Sequence, residues 1–359
     1  MVFTKKDFME SSAHLSEDGK ELVLIDQRTL PGTLQFLHLK GIEEITKAIK
    51  TLAVRGAPAI GIAAAYGFYV RVRENLYLEK EAGRDFLISR MKKEGDLLIS
   101  ARPTAVNLSW AVKRMEKKME EGKDLSGKAL LDLLRDEAMA IHLEDMEMCF
   151  KISEYGLSLL KDGEGIITHC NAGPLATSKY GTALGPILFG KERGLHFHVF
   201  ADETRPLLQG ARLTTYELDK AGVDVRLICD NMASLVMKKG WVQACLVGCD
   251  RIAANGDFAN KIGTSGLAIL AHYYGIPFYT LGPASTVDLS CPSGDFIPIE
   301  ERDPDEIKKM WYQEPMAPEG VRAYNPSFDV TDHSLVTAII TDRGILRPPF
   351  EEKLRALFN

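Results

Sequence analysis

No G-x-G-x-x-G follows any strand-like run of this 359-residue chain, which argues against a dinucleotide cofactor and a dehydrogenase. No basic field exists either. The 44 Lys and Arg are interspersed with 50 Asp and Glu, and with a net charge of −6 nothing gathers to hold a nucleic-acid backbone. The longest apolar stretch, 58–70, is too short and too rich in Gly and Ala to span a bilayer. The first residues lack the apolar core of a signal peptide, so a cytoplasmic location is expected. Six cysteines, at 149, 170, 229, 245, 249 and 291, form no regular framework, and free thiols are expected. Cys245 and Cys249 make a C-x3-C with no second pair of ligands nearby, which suits core packing better than zinc. His196 and His198 alternate along one strand-like run and His169 precedes a loop thiol; each reads as a satisfied polar side chain. Residues 185–191 come near a P-loop, but Glu192 stands where Ser or Thr would hold magnesium. Neither a metal nor another cofactor is expected.

What is present is enough apolar material, 45% of residues, for two domains with cores of their own. Short β-like runs at 22–25 and 34–37, around the turn 30–32, predict a small hairpin or meander. Apolar residues at three- and four-residue spacing then predict helices over 42–52, 60–72, 86–99, 108–119 and 130–159. After Gly163 the pattern changes to strands at 165–168, 196–200, 224–228, 244–247 and 277–279, alternating with helices such as 209–221 and 265–274. That alternation predicts a parallel doubly wound sheet. The expected fold is α/β: a mainly helical domain with small β structure over 1–160, then a Rossmann-like domain over 161–359.

The chemistry is carried by loops at strand ends, where open α/β sheets bind ligands. Cys170 follows the run Ile166-Ile167-Thr168-His169 and is followed by the breakers Asn171, Gly173 and Pro174. Asp250 ends a second such run. Alone, each has a plain reading, a small buried thiol and a turn former; their shared context favours a thiol and a carboxylate acting together. Arg55, followed by Gly56, Ala57 and Pro58, precedes one predicted helix, and Arg102 with Pro103 precedes another. In matching positions they suggest an anion pocket in which guanidinium groups add to helix-start amides. Gln209 is a candidate for a sugar hydroxyl, and Lys261, beside Asn260, for a phosphate or hydroxyl. Asp202, Glu203 and Arg205 read equally as partners of one another, as loop-orienting groups, or as contacts to another subunit.

Taken in order, these loops resemble the methylthioribose-1-phosphate isomerase family, which shares its fold with the regulatory subunits of eukaryotic translation initiation factor 2B. The resemblance covers nearly the whole chain through RGAPAIG (55–61), RPTAVNL (102–108), THCNAGPLAT (168–177), KYGTALG (179–185), ADETRPLLQGARLT (201–214), VGCDRIAANGDFANKIGT (247–264) and NPSFDVT (325–331). Lys179, where Gly is frequent, is one small departure. The resemblance implies a catalytic pair at Cys170 and Asp250 and substrate contacts at Arg55, Gly56, Ala57, Arg102, Gln209, Asn260 and Lys261. It implies isomerisation of 5-methylthioribose 1-phosphate to 5-methylthioribulose 1-phosphate in methionine salvage, and a homodimer. Because the anomeric oxygen is phosphorylated, the ring cannot open unaided. A buried Asp250 would stay protonated and donate to the ring oxygen while a Cys170 thiolate takes the C2 proton; a hydride shift from C2 to C1 is the alternative. The competing functions are isomerisation of ribose 1,5-bisphosphate or a deoxyribose 1-phosphate, and a regulatory subunit that binds without turnover.

Overall fold

The computed structural model describes residues 3–103 and 105–358, so Thr104 of the 102–108 motif lies outside the described residues. The chain packs as two compact units, Met1–Met148 with Pro174–Gly181, and Cys149–Gly173 with Thr182–Asn359. Where the sequence suggests one cut near residue 160, the division falls after Met148, and 174–181 groups with the first unit.

In the first unit, β1 (Ala13–Leu15), β2 (Leu22–Ile25) and β3 (Phe36–Leu39) form an antiparallel meander in that order. Helices α1 (Lys5–Met9), α2 (Ile42–Lys50), α3 (Ala57–Asn75), α4 (Tyr77–Ala82), α5 (Arg84–Ser100), α6 (Val106–Glu121) and α7 (Gly127–Leu157) follow, α7 running past the end of this unit. Outer helices bury one stripe: Ile42, Ile45, Ala48 and Ile49 on α2; Leu108, Ala111, Val112, Met115 and Met119 on α6. By contrast α3 buries every position from Ala59 to Val70 and is the axis around which the others pack. Its small residues allow that. No helix among the described residues is long and apolar enough to cross a membrane.

A buried polar chain fastens 174–181 inside this unit. The Ser11 hydroxyl donates to the Ser178 carbonyl at 2.9 Å, so it accepts from His142 Nε2 at 3.0 Å, which leaves His142 Nδ1 to accept from Tyr66 at 2.9 Å. Burial keeps this imidazole neutral, its pKa lowered to about 3. Replacing Tyr66 with Phe strands Nδ1 without a donor and should cost about 1–3 kcal/mol in denaturant unfolding; an unchanged midpoint would show that the chain is not paired this way.

The second unit is built on a seven-stranded sheet. Its strands are β4 (Gly165–His169), β5 (His198–Asp202), β6 (Asp224–Ile228), β7 (Ala244–Val247), β10 (Phe278–Leu281), β13 (Ala338–Thr341) and β14 (Gly344–Leu346), in the order β14-β13-β10-β7-β4-β5-β6. All neighbours are parallel except the hairpin β13–β14. From β4 the chain winds outward through β5 and β6, then restarts at β7 on the other side of β4. The switch point therefore lies between β4 and β7. β5 starts two residues later than expected because the His196 amide is taken by Asp162 at 2.7 Å. Helices α8 (Gly185–Glu192), α9 (Thr215–Lys220), α10 (Ala233–Lys238) and α11 (Thr264–Tyr274) connect the strands; the expected helix 209–221 opens as a π turn, Gly210–Thr214, before α9. A second sheet was not foreseen: β8 (Arg251–Ala253), β9 (Phe258–Lys261), β11 (Val287–Asp288) and β12 (Phe328–Thr331), in the order β11-β8-β9-β12.

Candidate active site

Cys170 stands one residue beyond β4 and Asp250 three beyond β7, and β4 and β7 are paired up to His169 and Val247. The switch point thus holds the thiol and the carboxylate. Cys170 has φ +67°, left-handed backbone that a residue with a Cβ adopts only under constraint. Two threonine hydroxyls supply the constraint. The Cys170 amide donates to Thr204 Oγ1 at 2.9 Å, and its carbonyl accepts from Thr214 Oγ1 at 2.6 Å. Thr204, itself at φ +64°, is fixed because Asp230 accepts the amides of Thr204 and Arg205, each at 2.8 Å. Thr214 belongs to the π turn, a form of helix that gathers at functional sites. The Asn171 side chain donates to Thr214 at 3.1 Å and to Glu217 at 2.5 Å, which stiffens the other flank. With both backbone groups committed, the half-buried thiol is what the loop presents.

Asp250 is exposed, which corrects the expectation of a buried carboxyl. Its amide donates to the Ala259 carbonyl at 2.8 Å, so the β8–β9 hairpin anchors its backbone. The carboxylate is felt next door: Cys249 is pushed up to about 12 by burial and then by the Asp250 charge. Cys245 is buried in β7 and also raised by burial, so both members of the C-x3-C are poor nucleophiles.

Gln209 is buried just before the π turn, and its Oε1 has no hydrogen-bond partner among the described residues. An orphaned buried acceptor calls for a donor such as a hydroxyl. Asn260 and Lys261 lie in β9 rather than in a loop ahead of the helix. Asn260 Nδ2 donates to Thr264 at 3.0 Å, and Lys261 Nζ lies 4.9 Å over the Phe328 ring, both side chains being buried. The start of α11 is already capped, since Asp329 accepts from Gly263 and Ser265 amides at 2.7 and 3.1 Å. Asp202 and Arg205 orient their loop: Asp202 pairs with His169, and Arg205 donates to the Ile307 carbonyl at 2.8 Å.

In the first unit, Arg55 is half-buried ahead of α3, Gly56 caps that helix with φ +92°, and Ala57 is its exposed first residue, followed by Pro58. A Cβ on Gly56 would fall 2.3 Å from the Ala176 carbonyl oxygen. Arg102 is half-buried in the turn before α6, where the Ala105 amide donates to its carbonyl at 3.0 Å.

Among the described residues, two sets of acidic and His side chains bring donor atoms within 4.8 Å: His169 with Asp202 and Asp230, and His333 with Asp257 and Asp332. Both are spent internally. The His169 nitrogens face Asp202 and the Ile262 carbonyl, and Asp257 receives Gly294, Asn255 and His333. Thr204, Thr214, Asp230 and Glu217 were not singled out from sequence; the short-side-chain clusters flanking Pro206 and following Gln209 were the available signal.

The chain matches the Initiation factor 2 subunit family over residues 53–348. It is 58% identical to the methylthioribose-1-phosphate isomerase of Symbiobacterium thermophilum, over 96% of this chain and 95% of that one. It is 56% identical to the 5-deoxyribose 1-phosphate isomerase of Petrotoga mobilis, over 96% and 98%. Among solved structures, the 5-methylthioribose 1-phosphate isomerase of Pyrococcus horikoshii OT3 superimposes with a TM-score of 0.91 at 42% identity, covering 99% of this chain and 98% of that one. With identity of this depth along its whole length, the chain belongs to the initiation factor 2 subunit family, as an enzyme of its sugar-phosphate isomerase branch.

Proposed function

We propose that the protein converts 5-methylthioribose 1-phosphate to 5-methylthioribulose 1-phosphate, as a cytoplasmic homodimer serving methionine salvage. The observation that supports this reading is Cys170, held in left-handed backbone at the switch point, with Asp250 just beyond the neighbouring strand end. Asp250 gives a proton to the ring oxygen as the C1–O bond breaks, and that oxygen becomes the C4 hydroxyl. The Cys170 thiolate takes the C2 proton and C1 and C2 pass through an enol phosphate; the thiol then returns a proton to C1 while the C2 hydroxyl gives its proton to the Asp250 carboxylate, which leaves the ketone at C2 and both groups as they began. Since Asp250 is exposed, the bound sugar has to displace the water around it for the carboxyl to meet the ring oxygen directly. Arg55 and Arg102 hold the phosphate, with the Gly56 and Ala57 amides at the start of α3. Gln209, Asn260 and Lys261 hold sugar hydroxyls, the orphaned Gln209 oxygen taking one directly.

A second reading, isomerisation of 5-deoxyribose 1-phosphate, is favoured by the relative of that name at 56% identity. Both sugars are apolar at C5, whereas ribose 1,5-bisphosphate would need further cations there. The test is turnover of all three sugars by the purified protein, followed by carbon NMR in deuterated water. Selective turnover of the methylthio sugar, lost in Asp250→Asn, with solvent deuterium at C1 is the expected result. Preference for the deoxy sugar keeps the chemistry and changes the substrate; absence of deuterium at C1 sinks proton transfer in favour of a hydride shift.

A further inference from the structure

His169 is the residue before the reacting thiol, and its ring is buried where several site loops meet. Nδ1 lies 2.9 Å from Asp202 Oδ2 at the end of β5, and Nε2 lies 2.8 Å from the carbonyl oxygen of Ile262, beside Lys261. A carbonyl only accepts, so Nε2 carries a hydrogen. Nδ1 then faces a carboxylate oxygen, and that contact is attractive only with a further proton between them. A neutral ring beside an ionised Asp202 would set lone pair against lone pair in a site where neither side chain reaches water.

We propose that His169 is a positioning residue for the isomerase reaction: a proton shared with Asp202 lets its ring clamp the loops bearing Cys170, Thr204 and Lys261, and loss of that proton at alkaline pH releases the clamp. This rests on the reading of Cys170 as the reacting thiol. The charged groups acting on the ring are Asp202 at the end of β5 and Asp230 from the turn after β6, with Oδ1 3.9 Å from Nδ1; Glu203, next to Asp202, and Cys245 from β7 interact with the Asp202 carboxylate. Burial opposes the ring's charge, but the hydrogen bond to Asp202 and the charges of Asp202 and Asp230 outweigh it and hold the imidazole proton above its ordinary range. Burial also lifts the Asp202 carboxyl to about 6. The two titrate as a pair. A raised folded-state value means the proton is held to higher pH than on a free imidazole and leaves as pH rises through that value. The close approach depends on Gly263, where a Cβ would lie 2.8 Å from His169 Cε1.

Asp202→Asn is the informative variant. Its amide is isosteric and supplies a donor to Nδ1 that never titrates, while Nε2 keeps its hydrogen on Ile262. The clamp then holds at every pH, and the alkaline limb of kcat should move upward by at least tenfold in proton concentration, with KM unchanged. An unmoved limb overturns the proposal, as does a fall in kcat of equal size at all pH values, which a merely structural role would give. Nitrogen NMR on wild-type protein carrying labelled histidine needs no variant and no turnover: the His169 Nδ1 signal should change from protonated to bare across the limb, and one that stays constant likewise overturns it. Should Cys170→Ala retain activity while Nδ1 titrates, the thiol reading fails and the proton assignment stands.

Discussion

Cys170→Ala should lower kcat by about 10³-fold, in the range expected when a positioned proton-transfer group is removed, and leave KM for the sugar phosphate nearly unchanged. The structure makes this substitution clean. The left-handed backbone at position 170 is enforced by the amide bond to Thr204 and the carbonyl bond from Thr214, neither of which involves the thiol. Alanine bears the same backbone strain as cysteine, so the loop keeps its shape and only the sulfur is lost. Ser in its place restores the volume but titrates far above the working pH, and should be nearly as inactive. Residual turnover within tenfold of wild type would exclude Cys170 as the group that takes the C2 proton. A large rise in KM with kcat intact would instead make it a binding residue.

Gly56→Ala should destabilise the first unit by about 3 kcal/mol or more, adding the overpacking of a close contact to the penalty for left-handed backbone. The added methyl would lie 2.3 Å from the Ala176 carbonyl oxygen and 2.5 Å from its Cα, and φ is +92°. Backbone atoms cannot swing aside as the end of a side chain would. One residue on, Ala57 is exposed at the helix start and should accept Ser with little change in stability. Comparing the two in urea unfolding separates alternatives. If Gly56 served only to let a phosphate approach the helix, its Ala variant would unfold like wild type and differ in KM alone.

Much of the architecture was legible because it is written in local pattern. The run Ile166-Ile167-Thr168-His169 is mostly β-branched and bounded by breakers, and it forms an interior strand of the sheet; the stripes on α2 and α6 have the spacing of one-sided burial. The sheet of β8, β9, β11 and β12 was not legible. Its strands have two to four residues, Phe258-Ala259-Asn260-Lys261 among them, and outside the β8–β9 hairpin they pair with distant segments, Ile252 with Val287 and Lys261 with Phe328. The same limit applied at the site. Cys170 and Asp250 stood out as reactive side chains at strand ends, whereas Thr204 and Asp230 act on backbone amides. Such a role leaves no chemical signature in a motif. Nor does a motif report solvent exposure, which is why Asp250 was expected in an apolar setting.

Cys170 and Asp250 follow strands hydrogen-bonded side by side, so the strand ends from which their loops leave are spaced by the ladder of the seven-stranded sheet, about 4.8 Å from one strand to the next. That ladder is a ruler which loops cannot easily recalibrate. Arg55, Arg102 and Gln209, proposed to meet the rest of the sugar, are carried elsewhere, before α3, before α6 and at the π turn, where a changed side chain leaves that spacing as it is. On the proposed reading, a sheet of this kind divides the labour: its ladder spaces the loops that do the chemistry, and side chains outside it choose the sugar.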